Sequence, residues 1–166
     1  AVIAGQGTVG LELVRQAPDV NEVLVPAGGG GLLAGVALAL KHLRPGIRVI
    51  GVQSAAMDGI ARSLAAGKPV AVGATRTIAD GVAVSGPSER TFALIQRYVD
   101  EVVTVPDEAI AQAILALVER AKFVVEGAGA KRLRSSRAET SISTCSGRWS
   151  DEGSSKQVAT STSPSR

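Results

Sequence analysis

Residues 22–43 decide the fold, and they read Glu-Val-Leu-Val-Pro-Ala-Gly-Gly-Gly-Gly-Leu-Leu-Ala-Gly-Val-Ala-Leu-Ala-Leu-Lys-His-Leu. Residues 22–26 have the short apolar composition of a buried strand. Four glycines, residues 28–31, then open an apolar stretch at residues 32–43 that is long enough for a helix and stops before Pro45-Gly46. The stretch therefore predicts a strand, a glycine-rich turn and a helix, in that order.

The same alternation of strand and helix continues on both sides of this stretch. We predict further strands at residues 1–4, 48–52 and 101–105, helices at residues 8–16, 55–66 and 89–98, and an irregular segment at residues 70–86. Asp107 is a candidate N-cap for a last helix, whose apolar positions recur at helical spacing: Ile110, Ile114, Leu117, Val118 and Ala121. Such alternation indicates an α/β fold with a parallel sheet, and ligands of these sheets bind beyond the carboxyl ends of the strands.

Composition and charge exclude several classes of protein. The aromatic share is 2% and the net charge is +3, but residues 131–166 contain seven Lys/Arg and three Asp/Glu, which leaves a net charge of −1 on the first 130 residues. We therefore expect no nucleic-acid partner. A single cysteine, Cys145, excludes an internal disulfide framework, and no apolar run is long enough to span a membrane. A soluble protein of the reducing cytoplasm is expected.

A first glycine motif, Gly5-Gln6-Gly7-Thr8-Val9-Gly10, matches the G-x-G-x-x-G fingerprint of dinucleotide-binding folds. That fingerprint also requires an acidic residue at the end of the following strand, where this chain has Pro26-Ala27-Gly28. A dinucleotide-binding half-domain therefore remains an alternative without its ribose-binding partner. A tight strand-to-helix turn is the simpler interpretation of these glycines.

The second glycine motif, Gly28-Gly29-Gly30-Gly31, lies directly before a predicted helix. Four consecutive glycines cost backbone entropy that a turn alone does not require. Exposed amides at a helix N-terminus, together with the helix dipole, form a binding site for a phosphate group. Close packing of the helix against the sheet is the structural alternative. Because no Lys-Ser/Thr pair follows, the motif does not indicate a nucleoside triphosphate, and a small phosphorylated cofactor is the better candidate.

Five ordered motifs in residues 1–130 resemble those of threonine dehydratases, the threonine/serine ammonia-lyases that depend on pyridoxal phosphate. The motifs are residues 4–8, 25–32, 48–54, 77–81 and 125–130, which read Ala-Gly-Gln-Gly-Thr, Val-Pro-Ala-Gly-Gly-Gly-Gly-Leu, Arg-Val-Ile-Gly-Val-Gln-Ser, Thr-Ile-Ala-Asp-Gly and Val-Glu-Gly-Ala-Gly-Ala. Gln53-Ser54 is most similar to the catabolic branch of the family. The resemblance implies the C-terminal part of a catalytic domain with the fold of type II pyridoxal-phosphate enzymes, which is similar to the β-subunit of tryptophan synthase.

The resemblance also implies which residues bind the cofactor. By resemblance, the phosphate is held by the glycine loop and the residue that follows it, which are Gly28, Gly29, Gly30, Gly31 and Leu32. Asp80-Gly81 and Glu126 are expected near the cofactor ring, although a glutamate at a helix end is often simply a solvent-exposed side chain. The family removes the β-hydroxyl of threonine or serine and releases ammonia and a 2-oxo acid. Its members form homo-oligomers.

Two further expectations concern residues in which this chain differs from the family. Related racemases and dehydratases often have a metal-binding Glu where this chain has Gln53, which lacks the charge that a hard cation prefers, so we predict no metal there. The family's cofactor lysine belongs to a Ser-Phe-Lys motif that would precede Ala1, and Lys41, Lys68 and Lys122 occur in other contexts. We therefore expect the chain alone to have no ammonia-lyase activity.

Residues 131–166 differ from the rest of the chain, with eleven Ser and four Thr and almost no periodic apolar positions. This composition favours disorder, because too little apolar surface is available to offset the entropy of ordering. We therefore predict a partial catalytic domain at residues 1–130 and a disordered tail at residues 131–166. A binding protein that retains affinity for phosphate or pyridoxal phosphate without catalysis is the second functional interpretation.

Overall fold

The computed structural model describes residues 1–73 and 75–130 of the chain. Within this part, three strands form one parallel sheet in the order β1-β2-β3: β1 is Glu22–Pro26, β2 is Arg48–Ser54 and β3 is Glu101–Val105. The α/β class and the parallel sheet predicted from the sequence are confirmed. The predictions made for residues 131–166 lie outside the described residues.

Six helices surround the sheet, and their bounds are α1 Val2–Gln16, α2 Gly31–Leu43, α3 Gly59–Ala66, α4 Glu89–Tyr98, α5 Asp107–Ala116 and the short α6 Gly127–Ala130. Two 3-10 turns, Ala55–Met57 and Asp80–Val82, and a π-helical turn, Leu117–Ala121, complete the described elements. Among these residues, no helix has the length and apolarity needed to cross a membrane. Helix α3 ends at Gly67 in the left-handed conformation, with φ of 67°, which is the usual end for a helix before a turn.

The two faces of the sheet bury two separate apolar clusters. On one face, Val23 and Val25 of β1 and Val49 of β2 pack with residues of α1, α2 and α4, such as Leu40 and Ile95. On the other face, Val52 and Val105 pack with the buried residues of α5 and α6, which are Ile110, Ala113 and Ala130, and with Ala79. Alternate residues of a strand point to opposite faces, so a strand covered on both sides becomes apolar throughout. The sheet is therefore the middle of three layers.

The strand predicted at residues 1–4 is wrong, because these residues begin helix α1. Four apolar residues are too few to distinguish a strand from a helix by periodicity. The glycines of the first motif lie inside the helix and allow it to approach α2: a Cβ on Gly10 would lie 2.9 Å from Cβ of Ala39, and one on Gly35 would lie 2.9 Å from the backbone nitrogen of Gly7. The motif is neither a dinucleotide-binding turn nor a tight strand-to-helix turn.

Three smaller predictions also need correction. The helix predicted at residues 55–66 is interrupted at Asp58, and the strand predicted at residues 48–52 continues to Ser54. Asp107 is the first residue of α5 and Pro106 is its N-cap, which forms no side-chain cap hydrogen bond. The Asp107 carboxylate instead accepts hydrogen bonds from Thr77 Oγ1 at 2.7 Å and from the amide of Ile78 at 2.9 Å. Long-range acceptance therefore replaces the predicted local cap.

Candidate cofactor site

The glycine loop connects the carboxyl end of β1 to the N-terminus of α2. Gly30 is the N-cap of α2 and has φ of 86°, a left-handed conformation that glycine adopts without strain. The helix ladder begins with the bond from the amide of Ala34 to the carbonyl of Gly30, at 2.8 Å. The amides of Gly31, Leu32 and Leu33 therefore have no acceptor one helical turn earlier. No acidic side chain occupies the first turn, so the positive end of the helix dipole is not neutralised there.

Packing explains some of the four glycines but not all of them. A Cβ on Gly28 would lie 2.9 Å from the carbonyl oxygen of Val82, and one on Gly30 would lie 2.6 Å from Cδ1 of Ile95. Both positions are too crowded for a side chain. A Cβ on Gly31, in contrast, would meet only Cγ1 of Val2 at 3.8 Å, which is an ordinary contact. Close packing therefore leaves Gly31 unexplained, whereas a ligand at the helix N-terminus accounts for it.

A cavity of about 290 Å³ lies against this loop. Its first wall consists of the loop and its flanking residues, Pro26, Gly28, Gly29, Gly30, Gly31 and Leu32. Its second wall consists of Gly81, Val82, Val84, Glu126 and Ala128. The volume is at the lower end of the range for small-ligand sites, roughly 300–1,000 Å³. All seven residues that the sequence proposed for the cofactor lie in these two walls.

Among the described residues that line the cavity, Glu126 alone is ionisable. Its side chain is exposed, and its Oε2 would lie 3.4 Å from a Cβ placed on Gly81. Its backbone carbonyl accepts hydrogen bonds from the amides of Gly129 and Ala130, at 3.1 and 3.2 Å, at the start of α6. The cavity thus has amides of a helix N-terminus in one wall and a carboxylate in the other. An anionic group is favoured beside the helix and disfavoured beside the carboxylate.

Asp80 is not among the residues that line the cavity, although it adjoins Gly81 in the sequence. Its side chain is exposed, and its Oδ1 accepts a hydrogen bond from the amide of Gly81 at 2.8 Å. Sequence reasoning did not name Pro26, Val82, Val84 and Ala128, which also line the cavity. Their only signal is position, because each lies within three residues of a glycine or glutamate that the motifs identified.

The lysines of the described part of the chain do not line the cavity. Lys41 donates to the carbonyl of Ile47 at 2.7 Å and forms an ion pair with Asp100 at 2.8 Å. Lys122 donates to the carbonyl of Glu119 at 3.0 Å, and Lys68 is exposed on the loop after α3. The assignment of these lysines to structural or surface positions fits this geometry.

Gln53 is fully buried and its Oε1 accepts hydrogen bonds from the amides of Ile60 and Ala61, both at 3.2 Å. The side chain therefore satisfies two amides in the first turn of α3, which otherwise have no partner within the helix. Among residues 1–73 and 75–130, no three His, Cys, Asp or Glu side chains form a group suited to a metal ion. The absence of a metal at Gln53 stays a prediction.

Comparison with known proteins identifies the family. Residues 1–142 match the family model described as pyridoxal-phosphate dependent enzyme. The chain belongs to the pyridoxal-phosphate-dependent enzymes. Within that family it is 54% identical over 129 residues to an L-threonine ammonia-lyase of Geobacter sulfurreducens, an alignment that covers 78% of this chain and 32% of the relative. It is 48% identical over 129 residues to the catabolic L-threonine dehydratase TdcB of Escherichia coli K12, covering 78% of this chain and 39% of the relative. The resemblance to threonine dehydratases is confirmed.

Solved structures of this family have the same fold. A threonine deaminase, from the organism abbreviated T.th., is similar with a TM-score of 0.75 and 47% identity, over 78% of this chain and 49% of that chain. Maize serine racemase is similar with a TM-score of 0.75 and 42% identity, over 78% of this chain and 39% of that chain. The fold of type II pyridoxal-phosphate enzymes is therefore confirmed. The chain spans about a third of the length of the curated relatives that it matches.

Proposed function

We propose that this chain forms the phosphate-binding part of a pyridoxal-phosphate site in a threonine or serine ammonia-lyase, which converts L-threonine to 2-oxobutanoate and ammonia. The observation that supports it most directly is the glycine loop at the N-terminus of α2, which faces Gly81 and Glu126 across one cavity. The names of the curated relatives support the reaction class.

The two walls of the cavity have different tasks in this proposal. Gly28, Gly29, Gly30, Gly31 and Leu32 bind the phosphate group through backbone amides, with the dipole of α2 adding to the attraction. The lack of a side chain at Gly31 lets the phosphate approach the helix N-terminus. Gly81 and Glu126 border the opposite end, where the carboxylate repels a phosphate and so favours one orientation of the ligand. When bound, pyridoxal phosphate supplies an electron sink for the amino acid.

We further propose that the 166-residue chain alone binds pyridoxal phosphate but does not deaminate amino acids. No lysine among the described residues lines the cavity, so no amine there is placed to carry the cofactor or to move a proton at the substrate. This combines the two interpretations of the sequence, with a family of ammonia-lyases on one side and binding without catalysis in this chain on the other.

Titration of the purified chain with pyridoxal phosphate, followed by absorbance and fluorescence, tests the binding proposal. Assays for 2-oxobutanoate from L-threonine and for pyruvate from L-serine test the second. We expect saturable binding and no product. Absence of binding up to millimolar cofactor would refute the proposed site, and turnover would show that a lysine of this chain acts in catalysis.

A cytoplasmic location and a homo-oligomeric assembly complete the proposal. The presence of one cysteine suits a reducing compartment, and the amino-acid substrates of the named relatives suit general metabolism. Light scattering of the purified chain measures the assembly state, and we expect more than one copy per particle.

A further inference from the structure

Three side chains from distant parts of the chain meet behind the second wall of the cavity. Ser54 ends β2, Thr77 lies in the irregular segment before Gly81, and Asp107 begins α5. Oδ1 of Asp107 accepts hydrogen bonds from Thr77 Oγ1 at 2.7 Å and from Ser54 Oγ at 3.3 Å, and its Oδ2 accepts from the amide of Ile78 at 2.9 Å. We call Ser54, Thr77 and Asp107 the Asp107 cluster.

The Asp107 cluster anchors the backbone that forms the second wall. The amide of Ala79 donates to Thr77 Oγ1 at 3.2 Å, and the carbonyl of Ala79 accepts from the amide of Val82 at 3.1 Å. Ala79 is fully buried, and Val82 with Gly81 lines the cavity. An uninterrupted series of hydrogen bonds therefore connects the Asp107 carboxylate to one part of the wall.

The other part of the wall rests on the same backbone. A Cβ on Gly127 would touch the carbonyl oxygen of Ile78 and would lie 2.9 Å from Cα of Ala79, so α6 packs directly on residues 78 and 79. Gly127 is preceded by Glu126 and followed by Ala128, which both line the cavity. Movement of residues 77–79 would therefore displace both parts of the second wall.

The glycine loop does not depend on this cluster. It is tied to the sheet by the amide of Ala27, which donates to the carbonyl of Val52 at 2.9 Å, and to α2 by the bond from Ala34 to Gly30. Loss of the Asp107 carboxylate should therefore disturb one wall and spare the other.

We propose that Asp107 and Thr77 are positioning residues of the cofactor site, which fix the distance between the ring-facing wall and the phosphate-binding loop. This inference rests on the proposed function, because it assigns a task to the cavity only if the cavity binds pyridoxal phosphate. It predicts a specific defect: affinity for pyridoxal phosphate falls, whereas affinity for inorganic phosphate does not.

The variants Asp107→Ala and Thr77→Val remove the carboxylate and the hydroxyl, and Thr77→Ser restores the hydroxyl. Glu108→Ala is the matched control, because Glu108 is an exposed acidic residue in the same first turn of α5. We expect Asp107→Ala and Thr77→Val to raise the dissociation constant for pyridoxal phosphate about tenfold, the size expected for one hydrogen bond to a charged group. Affinity for inorganic phosphate should stay within about twofold of wild type. Thr77→Ser and Glu108→Ala should bind both ligands as the wild type does.

Hydrogen exchange of the unliganded variants gives a readout that does not depend on binding. In Asp107→Ala and Thr77→Val, the amides of Ile78, Ala79 and Val82 should exchange faster, whereas those of Ala27 and Ala34 should keep their protection. Unchanged exchange at residues 78–82 would overturn the inference, as would equal losses for both ligands. If the wild type binds neither ligand, the proposed function fails, and the exchange pattern still decides whether Asp107 positions the wall.

Discussion

At the residue scale, Gly31 separates the effect of a ligand from the effect of packing. The neighbouring Gly28 and Gly30 have no room for a side chain, so their substitution would damage fold and site together. Gly31 has room, but it lines the cavity at the helix N-terminus. A single methyl group there therefore tests the site while leaving the core intact.

We expect Gly31→Ala to lower the affinity for pyridoxal phosphate at least about tenfold, because the methyl group occupies space beside the amides that bind the phosphate. The free energy of unfolding should stay the same or rise by up to about 0.5–1 kcal/mol, since alanine is the better helix former. Gly46→Ala is the control, because a Cβ on Gly46 meets no atom within 4 Å. Isothermal titration and urea unfolding measure the two quantities. Loss of stability with unchanged affinity would contradict the assignment of Gly31 to the site.

Asp100 shows how a single carboxylate couples the ends of two strands to pH. Burial raises the pKa of Asp100, but the hydrogen bonds from Lys41 and from the amide of Val49, with the charges of Lys41 and Arg48, lower it further, and the net pKa lies below its usual value. A carboxylate with a depressed pKa in the folded state stabilises the protein above its unfolded pKa of 3.8. That stabilisation disappears as the pH falls through the folded-state pKa.

Asp100→Asn should therefore lower the free energy of unfolding by about 1 kcal/mol at pH 7, a value reduced by the partial exposure of the ion pair with Lys41. The difference between the two proteins should shrink as the pH is lowered from about 5 to about 2. Urea unfolding at a series of pH values measures it. A difference that is constant over this range would show that the charge of Asp100 is not responsible.

At the element scale, the contact of α1 with α2 gives the glycines of the first motif their purpose. Helices normally pack about 8–10 Å apart, and small residues at the contact allow a closer approach. Gly7 and Gly10 of α1 face Gly35 and Ala39 of α2, and Gly5 lies on the same helix where a Cβ would meet no atom within 4 Å. One helix therefore contains both a crowded glycine and an unconstrained one.

We expect Gly10→Ala to lower the free energy of unfolding by about 1–3 kcal/mol through overpacking against Ala39. Gly5→Ala should raise it by about 0.5–1 kcal/mol, because alanine loses less entropy in a helix. Thermal and urea unfolding of the two variants compare them directly. Equal effects of the two substitutions would contradict the packing described for α1 and α2.

The elements that the sequence predicted well are those with strong local signals. Residues 22–26, 89–98 and 101–105 have the predicted bounds, since apolar periodicity and flanking polar residues marked them. Helix α1 was missed because its glycines are used for contact with α2, and local propensity does not report such contact. The role of Asp107 was missed for a similar reason: its hydrogen-bond partner Thr77 lies thirty residues away.

At the scale of the whole molecule, the site forms where the two halves of the described chain meet. The phosphate-binding loop follows β1, whereas Gly81 and Glu126 come from segments much later in the chain. Family resemblance named these residues, and no periodicity or spacing could have placed them together. The parallel sheet brings them together because the loops after its strands share one edge.

Nuclear magnetic resonance with the isotope-labelled chain tests the central claim most directly, because it reports which amides respond when pyridoxal phosphate is added. We predict the largest shifts at the amides of residues 28–33, with smaller shifts at Gly81 and Glu126, and inorganic phosphate should reproduce only the first group. Shifts confined to the groove between α1 and α2, or no saturable shifts at residues 28–33, would contradict the account of a phosphate-binding glycine loop.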